Sequence, residues 1–375
     1  MAMTFTDAKA ATMLKQYRRD LHRIPETGWE VYKTYSYIME ILSKLRCEIT
    51  SVNETGICAF FDMDRETCTA FRCDMDGLAV SEVNECDYAS INHGLMHACG
   101  HDGHMAMILA LASYLNEVTD LSSNVLLIFQ PGEETPGGAE IICKTGILEK
   151  YCVNRIFGIH LWPFADQGVI TCRPGAQMSK SSELDIIIEG KSTHAATPEN
   201  GIDALEIGCQ YLLDIYKMQR EEIPSDQRTL LKIGKMGSGT VRNAIAANTL
   251  LFGTLRSFDM DIFDYMLKRL KEIAKTYEEK YGCKFRIECN EGYPPLINDT
   301  TLYETIKPIF ASIPFEELAE PVMISEDFSC FGLHVPSIFF FLGTGTGIPL
   351  HSSNFNFDES VLLNGYQLYK KLLSI

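Results

Sequence analysis

Apolar positions fall along this chain in two patterns, and the change between them divides it. In the first pattern, short unbroken apolar runs alternate with longer stretches of helical period. The runs are 57–62, 69–74 (TAFRCD), Asn124–Gln130 (NVLLIFQ) and 156–161 (IFGIHL), and the helical stretches are Asp7–His22, 32–45 and 103–117. Uninterrupted strands between helices predict an α/β sheet covered on both faces. Near residue 180 the texture changes. Segments 184–189 (LDIIIE), 229–235 (TLLKIGK) and 249–257 (TLLFGTLRS) read as strands, with helices at 202–218 and Met260–Tyr281. This β–α–β–β–α grouping predicts a smaller α+β domain set into the first. Around Gly292-Tyr293-Pro294-Pro295 the chain is expected to return to the larger domain. There Thr300–Phe310 reads as helix, 337–342 (SIFFFL) as a buried strand and 360–373 as the closing helix. The expected division is 1–179 with 292–375 for the larger domain and 180–291 for the inserted one.

Composition narrows the function classes. A chain of 375 residues is long for one core, which agrees with two domains. The net charge of −17 speaks against a phosphate-tracking surface, so nucleic acid is not an expected partner. The 13 cysteines are odd in number, irregularly spaced and form no CxxC, which is not a disulfide framework. Scattered thiols fit a reducing cytoplasm. MAMTFTDAKA shows no charged stretch followed by an apolar one, so no leader is expected. No run approaches the roughly 20 apolar residues of a membrane span, so no membrane is expected as a partner.

Metal-capable groups concentrate at four places. HACGHDGH (97–104) holds three imidazoles, a thiol and a carboxylate just before an apolar helix, with Asp102 as its expected N-cap. Cys99 and His101 stand two apart, so on an extended or turning backbone both reach one ion. The adjacent carboxylates Glu133 and Glu134 follow a buried strand, where open α/β sheets bind ligands. Two carboxylates so close repel unless a cation neutralises one, which leaves one Glu as ligand and the other as base. His160 sits inside an apolar strand, and His351 in a polar loop after SIFFFL. Taken alone, His160 reads as a core imidazole and His351 is unremarkable. Together, Cys99, His101, one of Glu133 and Glu134, His160 and His351 exceed the needs of one tetrahedral ion, which points to a two-metal site with a bridging group. A rival reading makes Cys99 a nucleophile with His101 or His160 as base, but it leaves the glutamate pair without a role. A non-catalytic descendant of such an enzyme would lack the base or a ligand, and neither is missing.

These motifs, with FQPGEETPGGA (129–139), GIHLWP (158–163), STHAATPENGIDA (192–204), GTLRSFD (253–259), SEDF (325–328) and PLHSSNF (349–355), resemble the zinc-dependent aminoacylase/carboxypeptidase metallopeptidases. The closer likeness is to their amidohydrolase branch of hippurate hydrolases, N-acetyldiaminopimelate deacetylases and indole-acetyl-amino-acid hydrolases. It runs from about Arg19 to the C-terminus. The resemblance implies a two-metal catalytic α/β domain, its central mixed sheet flanked by helices, interrupted by a smaller lid domain that forms a homodimer. It implies metal ligands at Cys99, His101, Glu134, His160 and His351, with the thiol bridging two divalent ions where other branches use aspartate. Zinc is the default, and manganese, cobalt or nickel are alternatives. Glu133 matches the general base. Asp74 and Asp76 match positions where other branches carry a metal-binding histidine and its orienting aspartate; that histidine is absent here, which implies that both stand behind the ligands and orient one of them. His194 matches a histidine that reaches a partner subunit's site and polarises the substrate carbonyl, and Asn243 and Arg256 match residues that hold the substrate carboxylate. The implied activity is hydrolysis of N-acyl amino acids, with dipeptide or small-peptide cleavage as the alternative. One departure stands in the lid: Asn243-Ala244-Ile245-Ala246 lacks the usual proline, which bears on the shape of that loop.

Overall fold

A computed structural model describes residues 5–135 and 137–375. Residues 1–4, part of the stretch read for a leader, and Pro136, inside FQPGEETPGGA, lie outside the described residues. The chain forms two compact units. One runs to Gly175 and is completed by Ile297–Glu320 and Asp327–Ile375; the other comprises Ala176–Leu296 and Pro321–Glu326.

Among the described residues the first unit holds an eight-stranded mixed sheet. Its order is Glu48–Val52, Gly56–Phe61, Asn124–Gln130, Cys68–Asp74, Val153–Trp162, Ser337–Gly343, Ile170–Cys172 and Phe315–Glu317. The four strands from Asn124–Gln130 to Ser337–Gly343 run parallel to one another. Every residue of Cys68–Asp74, Asn124–Gln130 and Ser337–Gly343 is buried, which is why they read as unbroken apolar runs. Parallel strands bring their carboxyl ends to one edge, so Asp74, Gln130, Trp162 and Gly343 end on the same side of the sheet. Glu48–Val52, Ile170–Cys172 and Phe315–Glu317 escape sequence reading because they are five, three and three residues long, too short to set a pattern.

The helix His101–Leu115 packs on this sheet and is buried along almost its whole length. It starts two residues before the expected position, and Asp102 is not its N-cap. That place belongs to Gly100, at φ 87, while Asp102 lies inside the first turn and is buried. The reason is a competing set of partners. Arg18 Nε donates to Asp102 Oδ2 at 3.2 Å, and His22 Nδ1 donates to the same oxygen at 2.8 Å. His22 Nε2 faces Glu82 Oε1 at 3.0 Å. Arg18, His22 and Asp102 are each about 1% exposed, so this ion cluster is shielded from water. Burial opposes charge on His22, but Asp102 and Glu82 outweigh it and lift the imidazole to about 9.

The second unit is built on a four-stranded antiparallel sheet in the order Lys284–Cys289, Lys180–Glu189, Asn248–Ser257, Thr229–Ser238. Helices Ala204–Glu222 and Met260–Tyr281 pack against it. Lys180–Glu189 alternates between buried and more exposed positions, the signature of a sheet with one covered face. Asp203 and Asp259 cap the two helices, and Gly282, at φ 70, closes the second. The edge strand Lys284–Cys289 is missed by sequence reading because KFRIEC has no fully buried position. No helix among the described residues is long and apolar enough to cross a membrane.

The Arg18–Asp102–His22 cluster makes a stability prediction. Removing the shared anion with Asp102→Asn takes from Arg18 and His22 the carboxylate they share, leaving them Glu359 and Glu82, and is expected to cost about 3–5 kcal/mol in urea unfolding of the metal-free protein. His22 is raised from 6.5 to about 9 in the folded state. Its contribution is therefore complete below the unfolded value and is lost as pH rises through about 9. Wild-type stability is expected to fall across that window, and His22→Gln should lack this fall. A flat wild-type profile would contradict the charged His22.

Candidate metal centre

The strand ends and one helix start supply the candidate groups. Asp74 ends its strand and Asp76 lies two residues on; Glu133 and Glu134 follow Gln130; His160 lies two residues before the end of Val153–Trp162. Cys99 and His101 flank Gly100 at the start of the helix. His351 stands in the loop after Ser337–Gly343 with φ 65, a left-handed backbone that non-glycine residues seldom adopt. Its amide donates to Ala98 O at 2.9 Å, which ties this loop to the segment carrying Cys99.

The side chains gather into overlapping groups. Ligand atoms of Cys99, His101 and His160 lie within 4.8 Å of one another, as do those of Cys99, Glu134 and His351, and those of His101, Glu133 and Glu134. Cys99 is common to the first two groups. The first is fully buried, while the second opens to solvent at His351, whose side chain is 53% exposed. His351 Nε2 lies 3.1 Å from Glu134 Oε1.

Backbone carbonyls fix the tautomers of the two buried rings. His101 Nδ1 donates to Asp76 O at 2.7 Å, and His160 Nδ1 donates to Leu161 O at 2.7 Å. A carbonyl only accepts, so each ring spends its Nδ1–H on the backbone and turns Nε2 inward. His160 Nε2 sits 3.3 Å from Cys99 Sγ. His101 Nε2 is buried with no hydrogen-bond partner among the described residues, and Asp74 Oδ2 at 3.7 Å is out of reach. An inward ring nitrogen without a hydrogen-bond partner, beside a thiol and carboxylates, belongs to the donor set a divalent cation takes once the proton is displaced.

The electrostatics agree. Burial, then Glu134, Glu133 and Asp74, push the Cys99 thiol well above its ordinary 9, so a thiolate there needs a cation. Burial, then His104, hold His160 well below 6.5 and leave it neutral. At His101 burial is outweighed by Asp74, Asp76 and Glu134, which lift it to about 10. The negative surroundings that raise His101 are those a metal ion would neutralise.

Further residues hold these in place. Asp76 accepts from the Glu133 amide through Oδ1 and from the Glu134 amide through Oδ2, each at 3.1 Å, so one carboxylate orients both glutamates. Asp74 accepts from His104 Nδ1 at 2.6 Å and from Arg72 Nη1 at 2.9 Å. Arg72 also donates to Gln130 Oε1 and to Asp327 Oδ1, both at 2.8 Å. Sequence reasoning gave no role to Arg72, Gln130, Asp327 or His104. The signal for Arg72 was a charge inside the apolar run TAFRCD, and for Asp327 its place in SEDF. His97 is buried apart from the ligand groups, and burial pushes it down to about 3.

In the second unit, His194 and Asn243 are exposed and adjacent. His194 bridges Ala244, and the Ala195 amide donates to Asn243 O at 3.0 Å. The Ile245 amide donates to Thr193 O at 2.8 Å, so this segment stays paired without the proline the sequence lacks. Arg256 is half-buried; its guanidinium donates to Met323 O and to Thr254 Oγ1, and no carboxylate among the described residues pairs with it.

Comparison with known proteins places this geometry. The profile of peptidase family M20/M25/M40 matches residues 70–375. An uncharacterized hydrolase of Staphylococcus aureus is 33% identical, over 96% of this chain and 97% of its own length. A crystal structure from methicillin-resistant S. aureus superposes with a TM-score of 0.92 at 28% identity, covering 98% of this chain and 97% of that one. The Bacillus subtilis YXEP protein, a dinuclear metal-binding peptidase of family M20, superposes with a TM-score of 0.87 at 28% identity, covering 98% of each chain.

Cys99 provides the test of this centre. If its sulfur serves both groups, Cys99→Ala is expected to lower metal content to at most one ion per chain, measured by atomic emission after gel filtration. Cys99→Asp, which restores an anionic bridge, is expected to recover the second. Full metal content in Cys99→Ala would remove the shared role.

Proposed function

The chain belongs to peptidase family M20/M25/M40, a family of metal-dependent hydrolases, and from that premise we propose that it hydrolyses the amide bond of N-acyl amino acids. The observation that carries this reading is the unequal pair Glu133–Glu134. One carboxylate, Asp76, orients both backbones, Glu134 faces His351, and Glu133 is buried with an oxygen within 4.8 Å of the His101 and Glu134 ligand atoms. Glu134 is thus assigned as ligand with Cys99, His101, His160 and His351. Glu133 takes the proton of the attacking water and returns it to the leaving amine. Two divalent ions, zinc by default and manganese, cobalt or nickel as alternatives, would supply Lewis acidity toward carbonyl and water. Asp74 and Asp76 act behind the ligands, as their hydrogen bonds to His104, Arg72 and the glutamate amides support.

Arg256 is assigned to the substrate carboxylate. A half-buried guanidinium without an acidic partner suits a bidentate carboxylate, and the exposed amide of Asn243 suits a second contact. His194 is assigned to polarise the scissile carbonyl from the lid of a partner subunit. A homodimer through the second unit is supported by an apolar stripe on Ala204–Glu222, where Leu205, Cys209 and Leu213 recur every four residues and Leu213 is 68% exposed. The strand Thr229–Ser238 also stands at the edge of its sheet, with one side unpaired among the described residues. All 13 cysteines are free thiols, which supports a cytoplasmic setting.

A hydrolysis screen of N-acyl amino acids and dipeptides, varying acyl group and amino acid separately with zinc, manganese and cobalt, tests the reading. Turnover of acyl amino acids is expected, and turnover confined to dipeptides would favour a peptidase. Glu133→Gln is expected to keep its metal and lose about 10²–10⁴-fold in kcat. Arg256→Ala is expected to lose roughly 10–100-fold in kcat/KM, through KM, for substrates with a free carboxylate. Leu213→Glu is expected to give monomers in sedimentation velocity, and an intact dimer would move the interface elsewhere.

A further inference from the structure

The strand Val153–Trp162 outlasts its neighbour. Its parallel pairing with Cys68–Asp74 ends at Arg72 opposite Gly158, while on its other side pairing with Ser337–Gly343 continues to Trp162 opposite Gly343. Leu161 lies three residues past the last position paired with Cys68–Asp74, and its buried amide needs an acceptor from elsewhere. At Leu161 that acceptor is a side chain: the amide donates to His104 Nε2 at 2.9 Å. His104 spans the gap, because its Nδ1 donates to Asp74, the last residue of the shorter strand, at 2.6 Å. One neutral ring, about 1% exposed, thus continues the sheet for one step beyond its backbone ladder.

That step lies beside a ligand. The Leu161 carbonyl accepts from His160 Nδ1 at 2.7 Å, so the residue is held at its amide by His104 and at its carbonyl by His160. The rings of His104 and His160 lie 4.6 Å apart at 65°. A Cβ on Gly100 or Gly103 would come within 2.8 Å of Leu161 Cδ1, so both glycines are needed for the helix start to approach Leu161 this closely. With both ring nitrogens of His104 engaged, it has no lone pair left for an ion.

We propose that His104 is a positioning residue. By holding the Leu161 amide it sets the orientation of His160, and so it supports the buried ligand group Cys99–His101–His160 and not the group Cys99–Glu134–His351. This rests on the ligand assignment above. Hydrogen-bonded partners of ligating histidines are typically worth 10–100-fold in metal affinity.

The test is stepwise Zn²⁺ binding to the metal-free full chain, by chelator competition, with the apo unfolding midpoint recorded for each variant. His104→Asn keeps a donor near Asp74 and loses the acceptor for Leu161; His104→Gln places an acceptor near the Nε2 position. His104→Asn is expected to weaken one Zn²⁺ step about 10–100-fold and leave the other within about twofold, and His104→Gln to recover most of the loss. Co²⁺ loading should show the same one-step loss. Equal weakening of both steps, full affinity in His104→Asn, or better rescue by Asn than by Gln would overturn the proposal. A wild-type chain that binds no Zn²⁺ would overturn the ligand assignment itself, and this inference with it.

Discussion

An imidazole has two nitrogens, and the arrangement of this pocket depends on which one each ring spends on the protein. His101 and His160 spend Nδ1 on backbone carbonyls and turn Nε2 inward. His104 spends both, on Asp74 and on the Leu161 amide. Three rings within about 6 Å of one another are thereby sorted into two that can take an ion and one that cannot. Residue type does not make that distinction; the hydrogen-bond partner does.

Charge is managed by the same economy of partners. Asp74, Asp327 and the glutamates place several carboxylates near the ends of adjacent strands, and Arg72 is the fixed cation among them. It is about 1% exposed and donates to Asp74, Gln130 and Asp327 from three different nitrogens. A planar guanidinium can hold three acceptors at set angles, which a lysine ammonium in that place could not match. Asp74 stays ionised despite complete burial, held well below the usual carboxylate range by His101, His104 and Arg72 against the cost of desolvation. The buried side of the pocket is therefore rigid and charge-compensated by protein, and the side at His351 faces solvent.

Much of the architecture was legible because burial writes a simple code. Asp7–His22, Asn124–Gln130, Met260–Tyr281 and Thr300–Phe310 were read to their end residues, each bounded by a capping residue or a sharp change of polarity. Short strands at the sheet margin were not, since three residues carry no period. Cys99, His101, one of the two glutamates, His160 and His351 were legible together as a metal-capable set, the family resemblance singled out Glu134, and the structure gathers them into the overlapping groups around Cys99. What the sequence hid were the long-range partners. Nothing near Asp102 in the chain announces Arg18 and His22, so it looked like a helix cap. Nothing near Arg72 announces Asp327, and nothing in HACGHDGH announces the Leu161 amide that occupies His104.

The strand order has a consequence for how such a chain is made. Ser337–Gly343 lies between Val153–Trp162 and Ile170–Cys172, and among the described residues Ile170–Cys172 pairs otherwise only with Phe315–Glu317. On a ribosome, the edge of Val153–Trp162, His160 included, stays unpaired until the entire intervening unit has emerged. That unit is antiparallel and contiguous but for a short return segment, so it can fold while the sheet around it waits. The nascent protein must carry an open sheet edge through nearly half of its synthesis, and the last strand to arrive is the one that closes it.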